Sequence, residues 1–192
     1  MSSSIAIRLF GDFTLANDGQ VVNGLDSARL QSLLAYLLLR CPAPQPRQHL
    51  AFLFWPDTSE AQARTNLRNL LHRLRQTWPE AEQFLEIGSK NITWRAGVGI
   101  GLDVAEFEQQ VHQAQTELDP VKALSHLDQA IRLHQRELLP NCYDEWILPE
   151  RARIQQTYLR AIEQSAEIHE KQANFISAIQ LCRQLIEMEP LS

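Results

Sequence analysis

Between Ala61 and Trp78 the chain reads AQARTNLRNLLHRLRQTW, with Arg64, Arg68, Arg73 and Arg75 and no acidic residue. The 192-residue chain carries a formal net charge of -5, so an acid-free basic stretch stands out. Ala63, Leu67, Leu70, Leu71, Leu74 and Trp78 recur at helical spacing, which predicts a helix with one face on a core. At 3.6 residues per turn, Thr65, Asn69, His72 and Gln76 lie opposite the leucine stripe, with Arg68 and Arg73 on either side of them. Arginine can grip guanine through two hydrogen bonds and asparagine can grip adenine the same way. The predicted base contacts are therefore Thr65, Arg68, Asn69, His72 and Arg73. Arg64 and Arg75 fall nearer the core boundary and suit backbone phosphates, which fix register without reading sequence.

Such a helix needs a frame. Residues 5–22 alternate apolar and polar positions around Asn17-Asp18-Gly19, a turn signal, and predict a small antiparallel sheet. A helix follows, capped by Asp26 or Ser27, with Leu30, Leu33, Leu34, Leu37 and Leu38 as its buried stripe. It stops at Cys41-Pro42, and Pro42, Pro44 and Pro46 predict an extended loop. A shorter helix at Arg47–Phe54 is broken by Trp55-Pro56-Asp57, and Thr58 or Ser59 caps the basic helix. Strand patterns at Phe84–Ile87 and Ile92–Arg95 flank Gly88-Ser89-Lys90-Asn91 and predict a hairpin with a basic tip. Sheet, three helices and hairpin are the order of a winged helix-turn-helix. Lys90 and Arg95 in the wing, and Arg29 and Arg47 near two helix starts, are further phosphate candidates.

The Gly97-Val98-Gly99-Ile100-Gly101 segment reads as a linker or a final strand passing into one, and everything after it reads as helix. Stripes at Val104, Phe107, Val111 and Ala114, then at Ala123, Leu127 and Ala130, predict two helices. Leu138 to Pro149 is a connecting segment. A long helix follows with Ile154, Tyr158, Ile162 and Ala166, and a last one with Phe175, Ala178, Ile179, Cys182, Leu185 and Ile186. Ala166, Ala178 and Pro190 are spaced twelve apart, as in a tetratricopeptide repeat. The expected fold is an α+β winged helix-turn-helix at residues 1–97, followed by an all-α tetratricopeptide-like domain at 98–192. The chain closes where another helix would begin, which predicts a piece of a longer protein, with its helical domain truncated.

Charge separates the two parts. Residues 1–96 hold ten Lys and Arg against eight Asp and Glu, whereas residues 97–192 hold eight against fifteen. The first part tolerates a polyanion; the second repels one and suits protein partners.

The runs RLQSLLAYLLLR, HLAFLFWPD and ARTNLRNLLHRLR resemble the DNA-binding domain of the Streptomyces antibiotic regulatory proteins (SARP), whose winged helix is similar to that of OmpR-type response regulators. LDVAEFEQQ, AIRLHQRELLPNCYDEWILPERARI and AIQLCRQLIEMEPLS resemble the bacterial transcriptional activator domain, a tetratricopeptide-like module of the same family. The resemblance covers nearly the whole chain. It implies a sequence-specific transcriptional activator that binds double-stranded DNA, contacts RNA polymerase subunits and forms a homodimer on direct repeats. The family commonly has a glycine where this chain has Asn141-Cys142-Tyr143. The alternative is a protein-interaction adaptor whose winged helix does not read DNA.

Other chemistries find little footing. The glycine segment lacks the spacing of a dinucleotide fingerprint. The six histidines show no paired metal spacing, and His112 with His126 is the nearest to a pair. No serine or cysteine sits in a nucleophile context. Cys182 falls on an apolar stripe and reads as core. No enzyme, cofactor or metal is therefore expected. Three widely spaced cysteines suggest reduced thiols. The chain shows neither a signal peptide nor an apolar run of about 18 residues, so a cytoplasmic protein without a membrane span is expected.

Overall fold

A computed structural model describes residues 5–95 and 100–188. Strands β1 (Ile5–Arg8) and β2 (Thr14–Asn17) pair antiparallel, with Ile7 opposite Leu15. Ile5, Ile7, Leu9 and Leu15 are buried, as the alternation predicts. Asp18 (φ 48°) and Gly19 (φ 81°) turn the chain into the short strand β3 (Gln20–Val21). Two successive positive φ values match the twist of a tight hairpin, which is why Asp-Gly stands there.

Helix α1 (Ala28–Leu39) buries Leu30, Leu33, Leu34, Leu37 and Leu38. Ser27 is its N-cap, but makes no side-chain cap bond. The Pro42–Pro46 segment is not loop throughout: Gln45–Pro46 form strand β4, with Gln45 opposite Ile92. Helix α2 (Arg47–Phe54) follows directly. Helix α3 runs Glu60–Thr77, one residue earlier than predicted at each end. The shift follows from the cap: Ser59 Oγ accepts from the Gln62 N–H at 3.3 Å, so Glu60 enters the first turn. A short helix α4 (Ala81–Phe84), not anticipated, leads into β5 (Leu85–Ile87). β5 pairs antiparallel with β6 (Asn91–Trp94), and the second sheet has the order β4-β6-β5.

Of the glycine segment, residues 97–99 lie outside the described residues. Its end forms strand β7 (Ile100–Leu102), which pairs parallel with β1, Ile5 beside Ile100. The first sheet thus has the order β3-β2-β1-β7. Helices α5 (Asp103–Thr116), α6 (Pro120–Leu133), α7 (Ile147–Lys171) and α8 (Phe175–Met188) complete the chain. The stripes of α5 and α6 are buried where expected. Helix α7 begins seven residues before Ile154 and takes Pro149 into its first turn, where no backbone donor is required. The α8 stripe departs from expectation. Ala178 is buried, but Phe175, Ile179, Ile186 and Cys182 are exposed. Periodicity reports an amphipathic helix, and among the described elements α8 finds its main neighbour only in α7.

The two halves share one apolar core, with Ile5, Leu34 and Leu71 in the same buried cluster as Phe107, Trp146 and Ile162. The Asp103 carboxylate, at the start of α5, accepts from the backbone N–H groups of Leu9 and Phe10 at 2.9 Å. Leu139 N–H donates to the Leu9 carbonyl, and Gly11 N–H to that of Glu137, both at 2.9 Å. Phe10 packs edge-on against Phe107 and His134. The arrangement is α+β, a small N-terminal sheet followed by helices.

Candidate nucleic-acid interface

Helix α3 turns Ala63, Leu67, Leu70, Leu71 and Leu74 into the core. Its 18 residues make a rod roughly 27 Å long. Arg64, Arg68, Asn69, His72, Arg73, Arg75 and Gln76 are exposed, and Thr65 is half-buried. Several of these side chains hold one another. Gln62 Nε2 donates to Asn66 Oδ1 at 2.8 Å. Thr65 Oγ1 donates back to the Ala61 carbonyl at 2.9 Å and accepts from Arg68 Nη2 at 3.4 Å. Gln76 Nε2 lies 3.0 Å from His72 Nε2. An amide nitrogen donates, so His72 Nε2 is the acceptor of this contact.

The cations divide into three placements. Arg47, Arg64, Arg68 and Lys90 line one groove of about 510 Å³ between α3 and the β5–β6 hairpin, with Gln48 and Ser89 among its other walls. The start of α2 is tied to the hairpin tip, because Arg47 N–H donates to the Lys90 carbonyl (2.8 Å) and Arg47 Nη1 to that of Gly88 (3.2 Å). Burial first, then the positive charges of Arg75 and Arg68, push the Arg47 guanidinium below its usual range. Burial is the larger cause, and the smaller part owed to the two arginines is what an incoming anion would offset. Two of the α3 arginines have carboxylate neighbours: Arg64 pairs with Glu60, and Arg75 Nε with Glu82 at 2.7 Å. Both pairs are exposed, so they are worth little and open readily.

Arg29 and Arg95 lie elsewhere. Arg95 follows β6, with its N–H on the Phe84 carbonyl at 2.7 Å, and lines a separate hollow with Trp94 and Glu108. Arg29 Nη1 donates to Asp144 Oδ1 at 2.6 Å. The Asp144 carboxylate also accepts from Ser32 Oγ at 2.5 Å, and Ser32 Oγ accepts from Trp146 Nε1 at 3.0 Å. The Asp144-Glu145-Trp146 string thus fastens the second half to α1. Arg151 extends the clasp by donating to the carbonyls of Leu138, Leu139 and Cys142. The positive φ of that loop falls on Leu139 (φ 46°), not on residues 141–143. Neither Arg29 nor Asp144 carries a local sequence signal for this pairing.

Among the described residues no group of three or more His, Cys, Asp or Glu side chains could hold a metal ion. His126 Nδ1 lies 2.7 Å from Gln110 Oε1. No described helix is long and apolar enough to cross a membrane.

Residues 102–192 match the family model of the bacterial transcriptional activator domain. The second half of the chain is thus similar to that domain over nearly all of its length. A solved structure of Mycobacterium tuberculosis EmbR in complex with low affinity phosphopeptide is similar in fold, with a TM-score of 0.81 at 19% identity. The likeness covers 98% of this chain and 51% of the EmbR chain, so the chain spans about half the length of that protein. No curated protein matches it in sequence.

Proposed function

We propose that this chain is a SARP-like, sequence-specific DNA-binding transcriptional activator, not an enzyme. Residues 1–97 act as an OmpR-type winged helix-turn-helix, with α3 as the helix that enters the major groove and the β5–β6 hairpin as the wing. Residues 98–192 act as a tetratricopeptide-like domain that contacts RNA polymerase subunits or supports a homodimer on direct repeats. The protein works in the cytoplasm.

One observation carries this reading: Arg47, Arg64, Arg68 and Lys90 converge on one groove between a solvent-facing helix and a hairpin. In a chain of net charge -5 that convergence suits a polyanion laid along α3. Thr65, Arg68, Asn69, His72 and Arg73 are the proposed base contacts. The cross-bonded pairs Thr65–Arg68 and His72–Gln76 favour this, because side chains already held in place lose less freedom on binding. Thr65 reaches a base as an acceptor, its hydroxyl hydrogen being used by Ala61. Arg47, Arg64, Arg75 and Lys90 are the proposed phosphate contacts, with Arg95 at the wing base. Arg29 is assigned differently below.

The adaptor reading draws on the two ion pairs that shield Arg64 and Arg75. Binding to a mixed-sequence duplex at low salt separates the two. The activator reading expects measurable affinity that falls steeply as salt is added; an adaptor leaves the duplex unbound.

A further inference from the structure

We infer that the second half of the chain is part of the DNA-reading unit, and that Asp144 is a positioning residue for α3, acting through Arg29. This rests on the DNA-reading role of α3. The contacts form a continuous path. Asp144 grips Arg29 and Ser32 on α1 at 2.6 and 2.5 Å. The Arg29 guanidinium lies 5.9 Å over the Phe54 ring and 5.8 Å over the Trp55 ring. Phe54 ends α2, and Trp55 opens the turn that leads into α3. That turn is held by Thr58, whose N–H and Oγ1 both donate to the Trp55 carbonyl. A second path runs in parallel. Trp146 meets Tyr36 edge-on at 5.2 Å, Tyr36 meets Phe54 edge-on at 5.9 Å, and the Tyr36 hydroxyl lies 3.0 Å from His49 Nε2 on α2. Arg40 stacks on Tyr36 at 3.8 Å and pairs with Glu150 at the start of α7.

Arg29 therefore has two duties open to it on charge alone, and the geometry favours one. A phosphate contact needs a free guanidinium at the DNA face. This guanidinium is neutralised by a carboxylate from the second half and laid on two rings at the α2–α3 corner. Its removal loosens the corner rather than deleting a phosphate contact. The second half, although acidic, thereby affects DNA affinity without touching DNA.

The test uses the full chain with Asp144→Asn, Arg29→Ala and the double variant. Amide hydrogen exchange at residues 55–59 is read without DNA, and affinity is read on a duplex that the wild-type chain has enriched from random sequence. Each single variant is expected to exchange faster in that turn and to bind about tenfold more weakly. The salt dependence should stay unchanged, and the double variant should be no worse than the singles. Wild-type exchange in Asp144→Asn overturns the positioning role. So does wild-type affinity, or an Arg29→Ala variant whose salt slope drops by about one phosphate. If the wild-type chain enriches no duplex, the DNA-reading role fails by itself, and the exchange data alone decide whether Asp144 holds the corner. Arg29→Ala removes a half-exposed side chain, so it keeps the test open should Asp144→Asn unfold.

Discussion

Lys90→Ala is the perturbation whose size follows most directly from the groove. Lys90 sits at the hairpin tip, lines the groove with Arg47, Arg64 and Arg68, and forms no ion pair among the described residues. Each neutralised phosphate releases condensed counterions, so the logarithm of affinity falls with the logarithm of salt by about 0.9 per contact. If Arg47, Arg64, Arg75 and Lys90 each meet a phosphate, these four contacts give a slope of about -3.6, and raising salt from about 50 to about 200 mM costs roughly 150-fold in affinity. Lys90→Ala should reduce the slope to about -2.7, and the same change of salt should then cost roughly 40-fold. The loss should be alike on every duplex, because a wing lysine on a phosphate reads no base. Fluorescence anisotropy of a labelled duplex over a salt series measures both quantities. An unchanged slope, or a loss confined to one sequence, would refute the assignment of Lys90 to the backbone.

Three further outcomes are expected. Arg68→Ala combined with His72→Ala should abolish discrimination between an enriched duplex and a random one while the circular dichroism spectrum stays that of the wild type; retained discrimination removes both residues from the base-reading set. Trp146→Ala should cost about 3–5 kcal/mol in urea unfolding, because it empties a core site and strips a partner from Ser32; a cost below about 1 kcal/mol would mean that the joint between the halves is not held there. Half-buried His134 stacks on Tyr158 at 4.1 Å, and burial holds its pKa below the usual value. The unfolded chain then takes up the proton first, so this contribution is complete above about pH 6.5 and is lost as pH falls below it. Urea unfolding of His134→Phe beside the wild type should show a smaller acid loss in the variant, and equal losses would exclude His134 as the source.

Elements that repeat a period over several turns were legible in the sequence. The Leu67–Leu71–Leu74 face of α3 and the Val104–Phe107–Val111 face of α5 are buried as their spacing demands. Two of the shortest elements, β4 and α4, were not. Gln45–Pro46 becomes a strand only because Ile92 lies beside it, and α4 is a single turn between Pro79 and β5. Thr58 and Ser59 are equally good caps of α3 by type, and only the bond from the Gln62 N–H to the Ser59 hydroxyl decides between them. At the site, composition and helical projection found the cations but not their company. Arg29 and Asp144 are 115 residues apart, and nothing near either announces the other. Gln48, which lines the groove, carries no charge to draw notice. The α8 face shows the opposite failure: its spacing is regular, yet regular spacing says nothing about whether a neighbour is there to cover it.

Selection of bound duplexes from a random pool, with the full chain as bait, tests the central claim most directly. Enrichment of a short motif is expected, in which substitution of Arg68, Asn69 or His72 changes the preferred base at defined positions, whereas Arg47→Ala and Lys90→Ala weaken binding without changing the motif. A pool that stays random through successive rounds at low salt, or a motif indifferent to every exposed residue of α3, would contradict it.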